Sequence, residues 1–165
     1  MLRLANYSIV FQEVPDEVTL AINISNCPNR CKDCHSPHLW EDSGEVLDEE
    51  MLTALLSKYG NAITCVCFMG GDAEPEAVEQ LAAFLQGVNL QRLSTQKGKH
   101  IKTAWYSGKP SLPPNCSLAH FDYIKLGAYS AEFGGLDAST TNQRFYRVED
   151  GKLIDITARF TKASQ

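Results

Sequence analysis

The stretch AITCVCFM, residues 62–69, decides the fold predicted for this chain. It is almost continuously apolar, as a strand covered on both faces of a sheet is. VTLAINIS, residues 18–25, is a second strand pattern, and a helical pattern lies between the two runs, with Asp48 as its N-cap and Gly60 at its end. Strands that are joined by crossover helices are typical of a mostly parallel sheet.

Strand and helix patterns continue to alternate along the chain. Residues 74–87, EPEAVEQLAAFLQG, predict a second helix with Pro75 in its first turn and Gly87 as its stop signal. The remaining predicted segments are strands at 100–108 and 121–127, edge strands at 8–14, 144–148 and 153–157, and loops at 89–99 and 109–117. We therefore expect an α/β domain.

The composition of the chain excludes several classes of function. Fifteen Lys and Arg against twenty Asp and Glu give a net charge of -5, which argues against nucleic-acid binding. No run approaches the roughly 18 apolar residues of a membrane span, and the N-terminus lacks a secretion-signal pattern, so we expect a cytoplasmic protein without a membrane partner. Six cysteines in such a protein indicate metal binding or catalysis rather than disulfides.

Each motif-like segment follows directly on a predicted strand. A cysteine loop at 26–38 follows the strand at 18–25, and GGDAEP at 70–75 follows the strand at 62–69. SGKP and GAY follow the next two strands in the same way. Because ligands of parallel α/β folds bind at the carboxyl ends of the strands, we expect these segments to share one rim of the sheet.

The cysteine loop allows two interpretations. Cys27, Cys31 and Cys34 have the spacing C-x3-C-x2-C, and with His38 they make a four-ligand set for a structural zinc ion. Three thiolates without a fourth also suit a 4Fe-4S cluster in which one iron stays open to an outside ligand. The first interpretation indicates a scaffold and the second indicates chemistry at the open iron.

The spacing of these cysteines resembles that of radical S-adenosylmethionine enzymes, and GGDAEP resembles the GGEP element of that family. The chain is most similar to the small activating proteins of anaerobic ribonucleotide reductase, because FGGLDASTTNQRFYRV at 133–148 resembles their GGL-x-x-x-TTNQR segment. The resemblance extends over nearly the whole chain. It implies a single domain over 1–165 with a partial, open (β/α) barrel, since a complete barrel takes about 250 residues.

The resemblance also implies the ligands of the cofactors. Cys27, Cys31 and Cys34 would bind three irons of a 4Fe-4S cluster. The residues implied or considered as contacts of S-adenosylmethionine are Gly70, Gly71, Asp72, Glu74, His35, Tyr106 and Ser107. Of the two carboxylates, either Asp72 or Glu74 would hold the methionine amino group. Asp33 stands where the family usually has an aromatic residue beside the adenine, so His35 or Trp40 would supply that surface.

What the resemblance implies for function is a glycyl radical activase. The cluster, reduced by a flavodoxin- or ferredoxin-type donor, would split S-adenosylmethionine, and the 5′-deoxyadenosyl radical would take a hydrogen from a glycine of the anaerobic (class III) ribonucleotide reductase large subunit. No catalytic residue beyond the cluster and cofactor is expected. Two alternatives stay open: radical chemistry on another glycyl radical enzyme or a small molecule such as a deazaguanine precursor, and a non-enzymatic zinc-binding interaction module.

Other residues have simpler interpretations. Cys65 and Cys67 lie two apart on a strand and are expected to be buried apolar residues, with a second metal site as the alternative. Lys125 is predicted at a solvated strand position, with a position facing the active site as the alternative, because apolar residues flank it. The basic run QKGKHIK, residues 96–102, is predicted to be solvated surface, with docking of an acidic partner as the alternative.

Overall fold

The computed structural model describes residues 1–94 and 98–163. The strands are β1 (Arg3–Val10), β2 (Thr19–Ile24), β3 (Glu45–Val46), β4 (Cys65–Met69), β5 (Lys102–Tyr106), β6 (Tyr123–Leu126), β7 (Arg144–Glu149) and β8 (Lys152–Asp155). The helices are α1 (Glu49–Tyr59), α2 (Pro75–Ser94) and α3 (Ala158–Ala163), with short 3-10 helices at Pro37–Trp40 and Leu118–His120. All eight strands belong to one sheet, in the order β3-β1-β2-β4-β5-β6-β7-β8.

The centre of the sheet is parallel. β2, β4, β5 and β6 are neighbours, and Cys67 of β4 is in register with Ala21 on one side and Ala104 on the other. These are the four strands that the apolar runs predict, and the first four side chains of β4 are fully buried. Because neighbouring parallel strands end at the same edge of a sheet, the loops after all four strands lie close together.

The predicted partial, open (β/α) barrel is wrong. β1 and β3 lie antiparallel on one side of the parallel centre, and β7 and β8 lie antiparallel on the other, so the sheet is mixed. The connection from β5 to β6 runs through a proline-rich segment and a short 3-10 helix rather than an α-helix. In the described ranges the strand-helix unit is therefore not repeated beyond β5. β1, β7 and β8 instead pair as antiparallel strands.

α1 and α2 pack on one face of the sheet. The side chain of Asp48 accepts a hydrogen bond from Met51 N at 2.9 Å, as expected of the N-cap of α1. The two helices contribute Leu52, Leu55, Leu56, Val78, Leu81, Ala82 and Leu85 to the main core. Among the described residues, none of the helices combines the length and the apolar character that crossing a bilayer requires.

The other face of the sheet carries a second, smaller core. Cys65 and Cys67 are fully buried there, beside Ala104, Tyr123 and Phe145. Burial raises the pKa of both thiols well above the usual range, which keeps them protonated. The prediction that the two cysteines are buried apolar residues is confirmed.

α2 is longer than the sequence predicts. It continues through Gly87 to Ser94, so Gly87 is not its stop and 89–94 is not a loop. The helix is held beyond Gly87 by Asn89, whose Nδ2 donates to Ile101 O at 2.7 Å while its Oδ1 accepts from Ile101 N at 2.9 Å. These contacts override the weak local preference of glycine. Residues 95–97 of the predicted loop, of which 96 and 97 also belong to the basic run, lie outside the described residues.

The strands at the edges of the sheet differ in detail from the prediction. The first strand is Arg3–Val10 rather than 8–14, because it pairs with β2 from Leu4 to Val10. The predicted strands at 144–148 and 153–157 correspond to β7 and β8. Neither β3 nor α3 was predicted, since two residues of strand and six of helix carry too little periodicity to be recognised.

Gly87→Ala should raise the free energy of unfolding by about 0.5–1 kcal/mol, because alanine is the better helix former. A Cβ at Gly87 would meet nothing within 4 Å. Chemical denaturation followed by circular dichroism measures the change. Gly71→Ala is the control with the opposite expectation, since its Cβ would collide with Val78 at a φ of +88°. A Gly87→Ala variant less stable than the wild type would contradict a continuous α2.

Candidate functional site

The loops after the parallel strands meet around the carboxylate of Asp72, at the predicted rim. Asp72 Oδ2 accepts hydrogen bonds from Asn29 Nδ2 at 2.6 Å and from Gly108 N at 2.8 Å. Its Oδ1 accepts one from Ser107 Oγ at 2.5 Å. Asn29 belongs to the cysteine loop, whereas Ser107 and Gly108 follow β5. One half-buried carboxylate thus ties together three segments that are distant in sequence.

Lys125 extends this arrangement to β6. Its Nζ donates to Ser107 O at 3.1 Å and to Gly127 O at 2.8 Å, and the residue is only 7% exposed. The prediction of a solvated Lys125 is wrong, because the register pairs it with Tyr106 on the face without α1 and α2. Its Nζ lies 5.5 Å from the centre of the Tyr106 ring. A buried ammonium group therefore lies beneath the rim.

Gly70 and Gly71 form the tight turn that leads from β4 to Asp72. Their φ angles of +107° and +88° lie in the region that favours glycine. A Cβ on Gly70 would lie 3.1 Å from Ile24 O, and a Cβ on Gly71 would collide with the side chain of Val78. The turn therefore brings its backbone close to the end of β2, and only residues without a Cβ fit there.

The cysteine loop presents its three cysteines as free, partly exposed thiols. Cys34 N donates to Cys31 O at 3.1 Å, which folds the end of the loop into a turn. Cys27 Sγ accepts a hydrogen bond from Asn29 Nδ2 at 3.7 Å, and Cys34 Sγ accepts one from Ser36 N at 3.4 Å. Hydrogen bonds of this kind stabilise the thiolate, which is the form of cysteine that binds metals.

The chemistry of this donor set fits an iron-sulfur cluster. A zinc ion draws all its sulfur ligands to about 2.3 Å from one centre. Across residues 1–94 and 98–163, no group of three or more Cys, His, Asp or Glu side chains is arranged to hold a single metal ion in this way. A cluster is bound differently, since each cysteine takes a different iron. Three partly exposed thiols in one loop, without disulfides, are the ligands that such a cluster needs.

Comparison with known families agrees with this donor set. Residues 18–107 match the 4Fe-4S single cluster domain family, and the match includes Cys27, Cys31, Cys34, Asp72 and Ser107. The chain belongs to this family. No curated protein and no solved structure matches the chain.

The predicted contacts of S-adenosylmethionine are only partly brought together in this 4Fe-4S protein. Gly70, Gly71, Asp72 and Ser107 lie at the rim, as described above. Glu74 instead forms an ion pair with the amino terminus of Met1. Tyr106 lies on the same face as Lys125, with its ring centre 5.5 Å from Lys125 Nζ, and its hydroxyl donates to Glu13 O in the segment before β2. Of the two carboxylates considered, Asp72 is therefore the one that contacts the cysteine loop.

The two aromatic candidates have different contact partners. The His35 ring lies 4.5 Å from the ring of Tyr129, measured between centres, and so contacts the loop after β6. Trp40 instead packs with Arg30, whose guanidinium carbon lies 5.9 Å from the indole centre. His35 is thus the candidate that faces the other rim loops.

The C-terminal segment at 133–148 also reaches the rim of the 4Fe-4S protein. Gln143 Nε2 donates to Gly127 O at 3.3 Å, and Asn142 Nδ2 donates to Ala128 O at 3.0 Å. Both bonds tie the approach to β7 to the loop after β6. Residues of the TTNQR motif therefore shape the edge of the site.

Three residues of the rim were missed or misjudged by sequence reasoning. Asn29 was not singled out, and Gly108 was expected at the rim only as part of the SGKP segment, without a role of its own. Lys125 was taken as solvated. The signal for Lys125 was present, because a lysine flanked by apolar residues at the end of a parallel strand lies next to the ligand-binding edge.

Burial lowers the pKa of the Lys125 ammonium to about 8. Negative charge on Asp72 acts in the opposite direction and favours the charged form. The protonated form of Lys125 is therefore stabilised by the nearby carboxylate of Asp72.

Lys125→Met should change how stability depends on pH in cluster-free, thiol-reduced protein. The folded wild type releases the Lys125 proton near pH 8, whereas the ordinary value of 10.5 applies to the unfolded chain. The unfolded state then binds more protons between these values, so this group makes the free energy of unfolding rise with pH across that window. From pH 7 to 10 the wild type should gain on the order of 2 kcal/mol relative to Lys125→Met.

Urea denaturation of both proteins at several pH values measures this difference. The comparison cancels the titration of shared groups that do not interact with Lys125. A difference that stays constant from pH 7 to 10 would show that Lys125 keeps an ordinary pKa in the folded state.

Proposed function

We propose that this 4Fe-4S protein is a radical S-adenosylmethionine activase that generates a glycyl radical on an anaerobic ribonucleotide reductase. The observation that carries the proposal is the direct contact between the cysteine loop and the GGDAEP turn. Asn29 Nδ2 lies 3.7 Å from Cys27 Sγ and 2.6 Å from Asp72 Oδ2, so cluster ligands and an acidic ligand-binding element share one site.

In this proposal Cys27, Cys31 and Cys34 would bind three irons of the cluster and leave the fourth open to S-adenosylmethionine. The bound, reduced cluster would supply the electron for reductive cleavage of S-adenosylmethionine to methionine, and the 5′-deoxyadenosyl radical would take a hydrogen atom from a glycine Cα of the reductase. The electron comes from a flavodoxin- or ferredoxin-type donor. Ligation and orientation are the tasks of the protein chain.

Asp72 is the residue that orients the methionine end. Its two oxygens accept three hydrogen bonds, from Asn29, Ser107 and Gly108, which hold the carboxylate in one position. It is only half-buried, so an ammonium group of a ligand can approach it from solvent. Attraction between the two opposite charges favours that approach, and the adjoining Gly70 and Gly71 leave room for it.

A protein substrate is supported by the open side of the sheet. A cavity of about 570 Å³ lies on the face without α1 and α2, and Phe11, Tyr106, Leu136 and Phe160 are among its lining residues. Phe11 is 69% exposed. Charged residues, among them Asp16, Asp137 and Arg159, also line this cavity, and a surface that mixes apolar and charged groups suits a folded protein partner such as the reductase.

Cys31→Ala should abolish cleavage of S-adenosylmethionine and leave the protein folded, because it removes one cluster ligand from a partly exposed loop. Release of methionine and 5′-deoxyadenosine from anaerobically reconstituted, dithionite-reduced protein measures cleavage. Cys116→Ala is the matched control, since this thiol lies in the proline-rich segment away from the cysteine loop, and it should keep activity. Cleavage retained by Cys31→Ala would overturn the proposal.

The electron paramagnetic resonance spectrum of the reduced wild type tests the open iron directly. Adding S-adenosylmethionine should change the 4Fe-4S signal, because the ligand binds to the cluster itself. A signal that does not respond would instead assign the cluster to electron transfer or to structure. Zinc in stoichiometric amount, without iron, would favour an interaction module.

The identity of the substrate requires a separate measurement. Mixing the reduced protein and S-adenosylmethionine with the reductase large subunit should produce a stable glycine-centred radical signal. The same mixture with pyruvate formate-lyase should produce none. A radical on the second enzyme alone, or on neither while S-adenosylmethionine is still cleaved, would assign the chemistry to a different substrate.

A further inference from the structure

Asn29 lies between two cysteines and contacts both a thiol and a carboxylate. A primary amide has two N–H donors, and the Nδ2 of Asn29 lies within hydrogen-bond distance of Cys27 Sγ at 3.7 Å and of Asp72 Oδ2 at 2.6 Å. The residue is therefore placed to donate to both acceptors at once.

The packing around Asn29 is shaped to its side chain. A Cβ on Gly108 would lie 3.1 Å from Asn29 Cγ and 3.4 Å from Asp72 Oδ2, and it would collide with Asn29 Nδ2. A side chain at residue 108 therefore cannot be accommodated without displacing the Asn29 amide. Gly108 also donates its backbone N–H to the same Asp72 oxygen, at 2.8 Å.

Asp72, the carboxylate that Asn29 contacts, is held in place by further hydrogen bonds. Asp72 accepts a hydrogen bond from Ser107 Oγ at 2.5 Å, and the carbonyl oxygen of Ser107 accepts one from the Lys125 ammonium at 3.1 Å. The contacts thus form a continuous chain from a buried cation at β6 to the sulfur of Cys27. Asn29 is the link of this chain that belongs to the cysteine loop.

A donor between a thiolate and a carboxylate has a definite electrostatic effect. The reduction potential of an iron-sulfur cluster depends on hydrogen bonds to its sulfur atoms and on nearby charge. An N–H donated to a cluster ligand stabilises the reduced cluster, which carries more negative charge than the oxidised cluster. A nearby carboxylate without such a donor destabilises the reduced cluster. Groups outside the ligand set commonly orient the ligands and tune the metal centre in this way.

We infer that Asn29 is a positioning residue that fixes Cys27 relative to Asp72 and raises the reduction potential of the cluster. The inference rests on the proposed assignment of Cys27 as a cluster ligand. It identifies a residue between the cysteines that acts without binding iron itself. The cluster is then easier to reduce because of a side chain that reaches from the cysteine loop to the loop after β4.

Two variants remove the contact in different ways. Asn29→Leu keeps the approximate size of the side chain and removes both donors. Gly108→Ala keeps Asn29 but pushes its amide away from Asp72. Asn61→Leu makes the same chemical change at an exposed position after α1, and Gly87→Ala makes the same small addition where nothing lies within 4 Å.

The experiment is a redox titration of each anaerobically reconstituted protein, followed by the electron paramagnetic resonance signal of the reduced cluster. Asn29→Leu and Gly108→Ala should both shift the midpoint potential to more negative values, and the two controls should keep the wild-type potential. Iron content after gel filtration should also fall in the first two variants only. Wild-type potentials in both rim variants would overturn the inference.

The outcome is separable from that of the proposed function. A shifted potential in the two rim variants supports the role of Asn29 even where S-adenosylmethionine leaves the wild-type signal unchanged. If Asn29→Leu retains no cluster, Gly108→Ala alone decides, since it preserves every donor in the loop. Loss of the cluster in Asn61→Leu or Gly87→Ala as well would overturn the inference, because the effect would then not depend on the contact with Asp72.

Discussion

The arrangement of the rim depends on the hydrogen bonds that Asp72 accepts from Asn29, Ser107 and Gly108. These donors come from the cysteine loop and from the loop after β5, so one carboxylate holds together segments that are far apart in sequence. A carboxylate can do this because it has several acceptor positions and its hydrogen bonds are strengthened by charge. Other contacts between the loops, such as that of His35 with Tyr129 and that of Lys125 with Ser107, add to this arrangement.

The parallel centre of the sheet makes this contact possible. β2, β4, β5 and β6 are in register, so Asp72 and Ser107 leave the sheet at the same edge. Antiparallel strands flank this parallel centre on both sides, and they do not repeat the strand-helix unit. The site therefore resembles the carboxyl edge of an α/β sheet although the whole sheet is mixed.

Sequence reasoning identified elements well where local periodicity was strong. The runs at 62–69 and 18–25 became central strands because an apolar sequence of that length is stable only when covered on both faces. The barrel was wrong because the pairing of β1 with β2 and of β6 with β7 joins residues whose relation no local pattern records. The extension of α2 past Gly87 was missed for the same reason, since it depends on contacts of Asn89 with residue 101.

The sequence by itself determined the sulfur donors and their order along the chain, and it left both a zinc ion and an iron-sulfur cluster open as their ligand. Three closely spaced cysteines are donors for a cluster wherever they fold together, because thiolates are its usual ligands. Only the tertiary structure decided which acidic residue meets the cysteine loop, since Asp72 and Glu74 are two positions apart and turn in different directions. It also decided that Lys125 is buried, because the burial of a strand residue depends on what covers its face and not on its own polarity.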